Sequence, residues 1–350
     1  LGKMKKKITM KDIADYLQVD RTTVSKALAN PPKVSEKMVK RVKQAAEELG
    51  YRKDPFASGL MTGKNALLGI VLADIKRGVY APLVSNFQQT AKAYNYGVIL
   101  QYVDREQDDL SYAIDLLKQQ RVSGVTFISG ATTEKHNSIL IELAESGVAV
   151  NTTGRNYISE AIDRIRFNNY QAGYDAAAHL IEHGHKQIAY ITNMVITGTL
   201  AERLQGYIQA MEDAGLPAAY YSIDRRTGAR AGDEVQAAYE LVRRQWGGEF
   251  QPTAMVGAND NYALGIIHAL KDMGIQVPHN VSVIGFDDLH AELCVPSITS
   301  MRMPVWKTGE TAVRMLMNRI RDPKKESELT ILNYEPIVRN STAAAPKGVG

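Results

Sequence analysis

Residues 10–28 read MKDIADYLQVDRTTVSKAL. Met10, Ile13, Ala14 and Leu17 recur at helical spacing, Gln18–Val19 breaks the pattern, and Val24, Ala27 and Leu28 resume it. The spacing predicts two short helices joined by a tight turn, with Asp20 placed to cap the second through its carboxylate. The free face of that second segment carries Arg21, Thr22, Thr23, Ser25 and Lys26. These are hydrogen-bond donors, not the Glu/Lys mixture of an ordinary solvated helix. A two-helix unit of this kind lays its second helix in the major groove of DNA. Arg21 and Thr22, at the exposed start, then reach base edges: arginine matches guanine O6 and N7, and threonine bonds a base or touches a thymine methyl. Thr23, Ser25 and Lys26 suit phosphates. The bland alternative, an αα-hairpin inside a bundle, would want Glu/Lys pairs on that face.

A third helix is expected after Ser35 as N-cap, with Met38, Val42, Ala45, Ala46 and Leu49 as its apolar stripe and Gly50 as its stop. Beyond it, Asp54 offers a cap and Pro55 suits a first helical position. The segment Phe56–Leu60 is barely one turn, which forms only against a partner because nucleation is costly. The first 64 residues hold 15 Lys and Arg against 7 Asp and Glu, whereas the other 286 hold 27 against 31. A basic head on a mildly acidic body points to a polyanionic partner.

From Ala66 onward, short β-rich runs alternate with longer helical stretches. The runs are LLGIVLAD, YGVILQYV, SGVTFIS, GVAVNTT, KQIAYIT, TAMVGAN and VSVIGFD. This is the pattern of parallel βαβ units with helices on both faces, and seven or more units suggest two sheets. The expected fold is α/β: an all-α headpiece followed by a doubly wound domain in two lobes. Ligands of such sheets bind beyond the carboxyl ends of the strands. No apolar run is long enough to span a bilayer. The basic start lacks an apolar signal region, so no secretory leader is expected. A single cysteine, Cys294, rules out an internal disulfide framework and fits a reducing cytoplasm.

Residues 8–64, with ITMKDIADYLQVDRTTVSKAL and VSEKMVKRVKQAAEELGYRKDPFASGL, resemble the amino-terminal region of the lactose-repressor (LacI/GalR) family, and the resemblance continues to the end of the chain. It implies a headpiece over 1–52 and a hinge helix over 53–65. An effector-binding and dimerisation domain would cover 66–345 and a tail 346–350. The hinge helix would fold when two subunits sit on double-stranded operator DNA, with Leu60 wedged into the minor groove. Thr9, Asn30, Tyr51 and Ala57 join the expected DNA contacts. The domain would have lobes of periplasmic-binding-protein type, one over 66–165 and 291–322, the other over 166–290 and 323–345. The chain would cross between them near 165, 290 and 322. A sugar-sized effector would sit in the cleft of each subunit of a homodimer. The sequence departs from the family pattern at several places. Gln18 stands where the turn usually carries Gly, at a left-handed strain cost. Asp20 replaces the usual Ser, which adds repulsion toward phosphate. The hinge proline is shifted to Pro55, and Gly59 weakens the hinge by about 1 kcal/mol relative to Ala.

The expected effector contacts follow strands. Asp74 ends the first strand, Tyr80 opens the next helix where it can stack on a sugar ring, and Ser129 and Arg155 follow the third and fourth. Arg203 in AERLQGY, Asn259 and Asp260 in GANDNYALG and Asp287 in VIGFDD match the family's ligand motifs most closely. A polyol wants such a set: a carboxylate acceptor, a fixed donor and an amide that does both. The competing role of each residue is a helix cap or an interlobe salt bridge. Thr227 falls near a place where some relatives carry an aromatic platform.

Other signals are weaker. GLMTGKN has the wrong glycine spacing for a phosphate loop, and Asn65 stands where Ser or Thr is required. His183 and His185 lack partners at metal-ligand spacing, so no metal is expected. Cys294 reads as a buried small hydrophobe. No catalytic constellation can be assigned, and no cofactor is implied. The tail STAAAPKGVG reads as disordered and lacks the heptads of a tetramerising coil. The expectation is a DNA-binding, ligand-responsive repressor that is not an enzyme and meets no membrane. Its rivals are a sugar-binding transport receptor, an enzyme on the same fold, and a regulator controlled by a protein corepressor.

Overall fold

The computed structural model describes residues 8–28, 33–51, 65–73, 78–104, 110–128, 134–154, 159–193, 198–223, 233–247 and 251–347. Of the expected contacts, Asn30, Ala57, Leu60, Asp74, Ser129 and Arg155 lie outside these residues, as do Pro55, Gly59 and Thr227. The chain divides into two compact units, Leu1–Asn65 and Ala66–Gly350.

The first unit holds α1 (Met10–Leu17), α2 (Arg21–Ala27) and α3 (Glu36–Glu48). The apolar stripes meet as expected. Ile13, Ala14, Val24, Ala27, Val42, Ala45 and Ala46 form the core, with Met10, Leu17, Leu28, Met38 and Leu49 around it. A capping box starts α1: the Asp12 amide donates to Thr9 Oγ1 and the Thr9 amide to the Asp12 carboxylate at 2.7 Å. Gln18 ends α1 in the left-handed region, φ 53° and ψ 47°, at a cost of about 1–2 kcal/mol. Asp20 stands at the N-cap of α2, but its side chain makes no capping bond. Its backbone carbonyl accepts from the amides of Thr23 and Val24 instead. Ser35 likewise occupies the N-cap of α3 without a side-chain bond.

The second unit contains two six-stranded sheets. The first takes β1 (Leu67–Leu72), β2 (Gly97–Tyr102), β3 (Gly124–Phe127), β4 (Ala149–Thr153), β5 (Ile162–Phe167) and β11 (Leu329–Leu332), in the order β11-β5-β4-β3-β1-β2. The second takes β6 (Ile188–Asn193), β7 (Ala219–Ile223), β8 (Ala254–Gly257), β9 (Ser282–Asp287), β10 (Thr299–Arg302) and β12 (Glu335–Ile337), in the order β12-β10-β9-β8-β6-β7. All pairings are parallel except β10 with β12. Central strands such as β3, β4, β6 and β8 are buried throughout, because helices cover both faces. Edge strands β7 and β11 alternate between exposed and covered positions, and β2 is partly exposed. Helices α4 (Tyr80–Ala93), α5 (Leu110–Gln119), α6 (Asn137–Glu145) and α11 (Val305–Arg321) accompany the first sheet. Helices α7 (Asn169–Glu182), α8 (Thr199–Asp213), α9 (Glu234–Gln245) and α10 (Asp260–Asp272) accompany the second.

Strand pairing moves two of the expected lobe boundaries. β10 pairs with β9, so residues 291–302 stay in the second lobe and the second crossing falls between Arg302 and Val305. β11 pairs with β5, which returns 329–332 to the first lobe and puts the third crossing at Asn333–Tyr334. The first crossing follows Phe167. The start of the expected tail is held, not loose. Ser341 Oγ donates to the Val283 carbonyl at 2.6 Å, and the amides of Ala343 and Ala345 bond Ser282 Oγ and the His183 carbonyl. Cys294 is half-buried, with its thiol on the His290 carbonyl side. His185 is buried and packs both ring nitrogens against Thr253, Ser282 and the Ala343 carbonyl.

One buried ion cluster fixes the chain before its third crossing. Asp163, 0% exposed, accepts from Arg319 Nη2 at 2.7 Å, from the Glu328 amide at 2.8 Å and from Lys325 Nζ at 3.2 Å. Arg319 also donates to the carbonyls of Lys325 and Glu326. Removing one partner leaves an uncompensated buried charge. Asp163→Ala should lower the unfolding free energy by about 3–5 kcal/mol in chemical denaturation. Glu142→Ala, which breaks the exposed pair with Lys118 at 3.2 Å, should cost under about 1 kcal/mol.

Candidate functional site

In the first unit, burial of Val24 and Ala27 turns the rest of α2 outward. Arg21, Thr22, Ser25 and Lys26 are exposed, and Thr23 is half-buried. Lys33, Lys37, Lys40, Arg41 and Lys43 are exposed on the same small unit. Tyr51 packs against its core, and Thr9 gives its hydroxyl hydrogen to Asp12 within the capping box. The structure therefore places a donor-rich helix face on a small unit whose described residues form three helices.

In the second unit, the order β2-β1-β3-β4-β5 and its counterpart β7-β6-β8-β9-β10 each reverse direction at one point, which opens a crevice at the carboxyl ends of the strands. A cavity with about 150 Å³ of water-accessible space lies there and takes its lining from both lobes. Val79, Tyr80, Leu83, Ile128 and Thr153 come from the first lobe. Asn193, Thr199, Arg203, Asn259, Tyr262 and Asp287 come from the second. The cavity thus brings together four of the residues expected from sequence, Tyr80, Arg203, Asn259 and Asp287.

Arg203 is the centre of the polar side. It is 2% exposed. Its Nη1 donates to the Ala258 carbonyl at 2.8 Å, and Nη2 donates to Asp287 Oδ1 at 2.6 Å and to the Tyr334 hydroxyl at 2.8 Å. The guanidinium lies over the Phe286 ring at 4.6 Å and the Tyr334 ring at 5.2 Å. Burial works to lower its pKa, but the charge of Asp287 and the Tyr334 contact reverse this and push it up, so Arg203 stays charged. Its position depends on two glycines. α7 and α8 cross so closely that a Cβ at Gly173 would strike the Arg203 backbone carbonyl, and one at Gly206 the Tyr170 carbonyl. The competing role of helix cap is realised at Asn259, whereas the salt bridge at Asp287 forms within the second lobe and not between the lobes. Asp287 is ion-paired to Arg203, and Asn259 caps α10 by accepting from the Tyr262 amide at 3.0 Å. Both still line the cavity.

Sequence reasoning missed Phe167, Asn193, Thr199, Glu234, Met303 and Tyr334, which also line it. Asn193 ends a strand and could have been found by the rule that gave Asp287. Tyr334 had no such signal, since it lies between two very short strands that belong to different sheets.

Asp287 belongs to a strained loop. Asp287, Asp288 and His290 have φ of 91°, 57° and 59°. Non-glycine residues rarely adopt such values, and a site must over-determine them. Asp288 accepts from Arg302 Nε at 2.7 Å and Arg339 Nη1 at 2.6 Å. Asp260 accepts from the Leu289 amide at 2.8 Å and Ser300 Oγ at 2.7 Å, while Leu289 packs against the first-lobe core. Burial, with Asp287 and Asp288 nearby, pushes the Asp260 carboxyl up to about 8.

Each of the two units matches a known protein family. Residues 9–54 match the family model for bacterial regulatory proteins, lacI family, and residues 177–342 match the periplasmic binding protein-like domain. Catabolite control protein A of Priestia megaterium is 31% identical over 343 residues, covering 96% of this chain and 99% of that protein. A solved transcriptional regulator CelR–cellobiose complex aligns over 96% of this chain and 100% of its own, with TM-score 0.67 and 26% identity. The lac repressor dimer bound to operator and the anti-inducer ONPF shares the fold, with TM-score 0.77 and 23% identity over 97% of this chain and 100% of its own.

The Asp260 proton has a measurable consequence. The folded chain keeps it up to about pH 8, whereas the ordinary carboxyl value is 3.8. Its stabilising contribution is full below about pH 4 and is lost as pH rises through about 8, with a slope of at most about 1.4 kcal/mol per unit. Asp260→Asn should flatten the pH dependence of urea unfolding between pH 5 and 8. Parallel curves for the two proteins would contradict the assignment.

Proposed function

Since this chain belongs to the lacI family of bacterial regulatory proteins, we propose that it represses a carbohydrate-utilisation operon, binding a near-palindromic operator as a homodimer under the control of a sugar-like effector. One observation carries the reading: a single chain joins a donor-rich helix on a basic unit to a cavity at the strand ends of two parallel sheets. Arg21 and Thr22 read base edges, Thr23, Ser25 and Lys26 hold phosphates, and Leu60 enters the minor groove. Thr9, Asn30, Tyr51 and Ala57 complete the contact with DNA. Two-fold symmetry of the dimer matches the two half-sites.

In the cleft, Arg203 and Asp287 present a donor and an acceptor already fixed against each other, Asn259 adds an amide, and Tyr80 an aromatic face. Asp74, Ser129 and Arg155 complete the set. Effector and operator binding are linked, so each changes the affinity for the other by the same factor. No step needs a metal, a cofactor or turnover of the ligand. The protein works in the cytoplasm, on the nucleoid when operator-bound.

The test has two arms. Genomic fragments retained by the full-length protein supply the operator. Arg21→Ala should then weaken binding to it by about 1–3 kcal/mol more than binding to random DNA. Equal losses on both would remove Arg21 as a base reader. Thermal unfolding against mono- and disaccharides, sugar phosphates, sugar acids and nucleosides, with cellobiose among the first, supplies the effector. A ligand at 100 times its Kd adds about 2.7 kcal/mol.

A further inference from the structure

The third crossing between the lobes is hydrogen-bonded to the arginine of the cleft. Tyr334 lies between Leu332, which ends β11 in the first sheet, and Glu335, which begins β12 in the second. Its hydroxyl meets Arg203 Nη2 at 2.8 Å and Asn169 Oδ1 at 2.9 Å. Asn169 begins α7, directly after the first crossing. Asn169 Nδ2 reaches Glu202 Oε2 at 3.0 Å and the Phe167 carbonyl at 3.3 Å. Glu202, on α8 of the second lobe, pairs with Arg166 on β5 of the first at 3.0 Å. The two crossings are also joined directly, by the Asn168 amide on the Leu332 carbonyl at 2.9 Å and by Asn168 Nδ2 on Asn333 Oδ1 at 3.0 Å.

The direction of this line is fixed by chemistry. A carboxylate and a carbonyl only accept, so the Asn169 nitrogen must face Glu202 and Phe167, and its oxygen must face Tyr334. The Tyr334 hydroxyl therefore donates to Asn169 and has only a lone pair for Arg203. It cannot turn its proton toward the cleft without releasing the first crossing. The arginine side is also nearly committed, since Nη2 spends both hydrogens on Asp287 and Tyr334. Arg203 Nε is buried without a partner among the described residues. A ligand oxygen that engages Arg203 or Asp287 changes how the guanidinium is shared with Tyr334.

We propose that Tyr334 is the positioning residue that ties the cleft arginine to the two crossing strands and so holds the angle between the lobes. The effector's part in this rests on the reading of the cavity given above, whereas the tie is made by side chains of the chain itself. Tyr334→Phe is the informative change, because it keeps the ring against Arg203 and Phe167 and removes only the two hydroxyl bonds.

The experiment measures the distance between the lobes in the full-length, ligand-free protein. In a Cys294→Ser background, spin labels are placed through Asp115→Cys on α5 and Glu212→Cys on α8, both exposed. Labelled chains are diluted with unlabelled protein so that distances within one subunit dominate. Tyr334→Phe should widen or shift the interlobe distance distribution. Asn169→Ala, which cuts the same line one bond further on, should do the same, and the double variant should add little, as expected of residues in one network. A Tyr334→Phe distribution that superimposes on wild type overturns the proposal, even if its melting temperature falls, because a merely structural hydroxyl would lower stability without moving the lobes. If circular dichroism shows Tyr334→Phe unfolded, Asn169→Ala decides by the same criterion. No ligand enters the measurement, so failure here leaves the effector reading standing, and an empty compound screen leaves this result standing.

Discussion

A buried guanidinium has to be neutralised where it stands, because desolvating an ion costs several kcal/mol even after the protein relaxes, on the order of the stability of a whole domain. Arg203 meets that constraint with Asp287, and much of the second unit is arranged around the pair. Asp287 reaches it from a left-handed backbone position, which Asp288 and Asp260 hold through bonds to Arg302, Arg339, Ser300 and the Leu289 amide. Gly173 and Gly206 let α7 and α8 cross closely enough to seat the arginine. The ends of β8 and β9 supply the Ala258 carbonyl and the Phe286 ring. The polar wall of the cleft is therefore preorganised, and a ligand need not order it on binding.

The same loop joins the polar wall to the other lobe. Asp287 lines the cavity, and Leu289, two residues on, packs against the first-lobe core. Leu289 can do so only because its neighbours accept unfavourable backbone angles and because Asp260 takes its amide. Two routes thus lead from Arg203 toward the first lobe, one through the strained loop and one through Tyr334. Backbone strain of this kind persists only where the surrounding contacts over-determine it.

The first unit works on a different principle. Its core is small, and among the described residues its helices are held by seven buried side chains and one capping box. That economy leaves the α2 surface to donors rather than to packing. The strain at Gln18 is accepted to keep the turn tight, which sets the angle at which α2 is presented.

Local periodicity determined much of this protein. The stripes Met10–Leu17 and Val24–Leu28 forced a two-helix unit, since only one face of each could be buried. Seven β-rich runs forced parallel sheets covered by helices. The strand-end rule led to Asp287 and the flanking helix starts to Tyr80, because in parallel sheets every active end points the same way. What lay beyond reach was whatever depends on partners distant in sequence. β5, with Asp163, Arg164 and Arg166 among its residues, does not read as a buried strand until Arg319 and Lys325 neutralise Asp163 from more than a hundred residues away. The later crossings were expected at the wrong residues, near 290 and 322, because β10, β11 and β12 are only three or four residues long. Only pairing decides which sheet each joins. Tyr334 became a cleft residue for that reason: the fold brings its linker against Arg203, and no pattern within the linker says so. Local pattern specifies which face of an element is apolar, whereas the meeting of buried charges and crossing strands is settled by the folded chain alone.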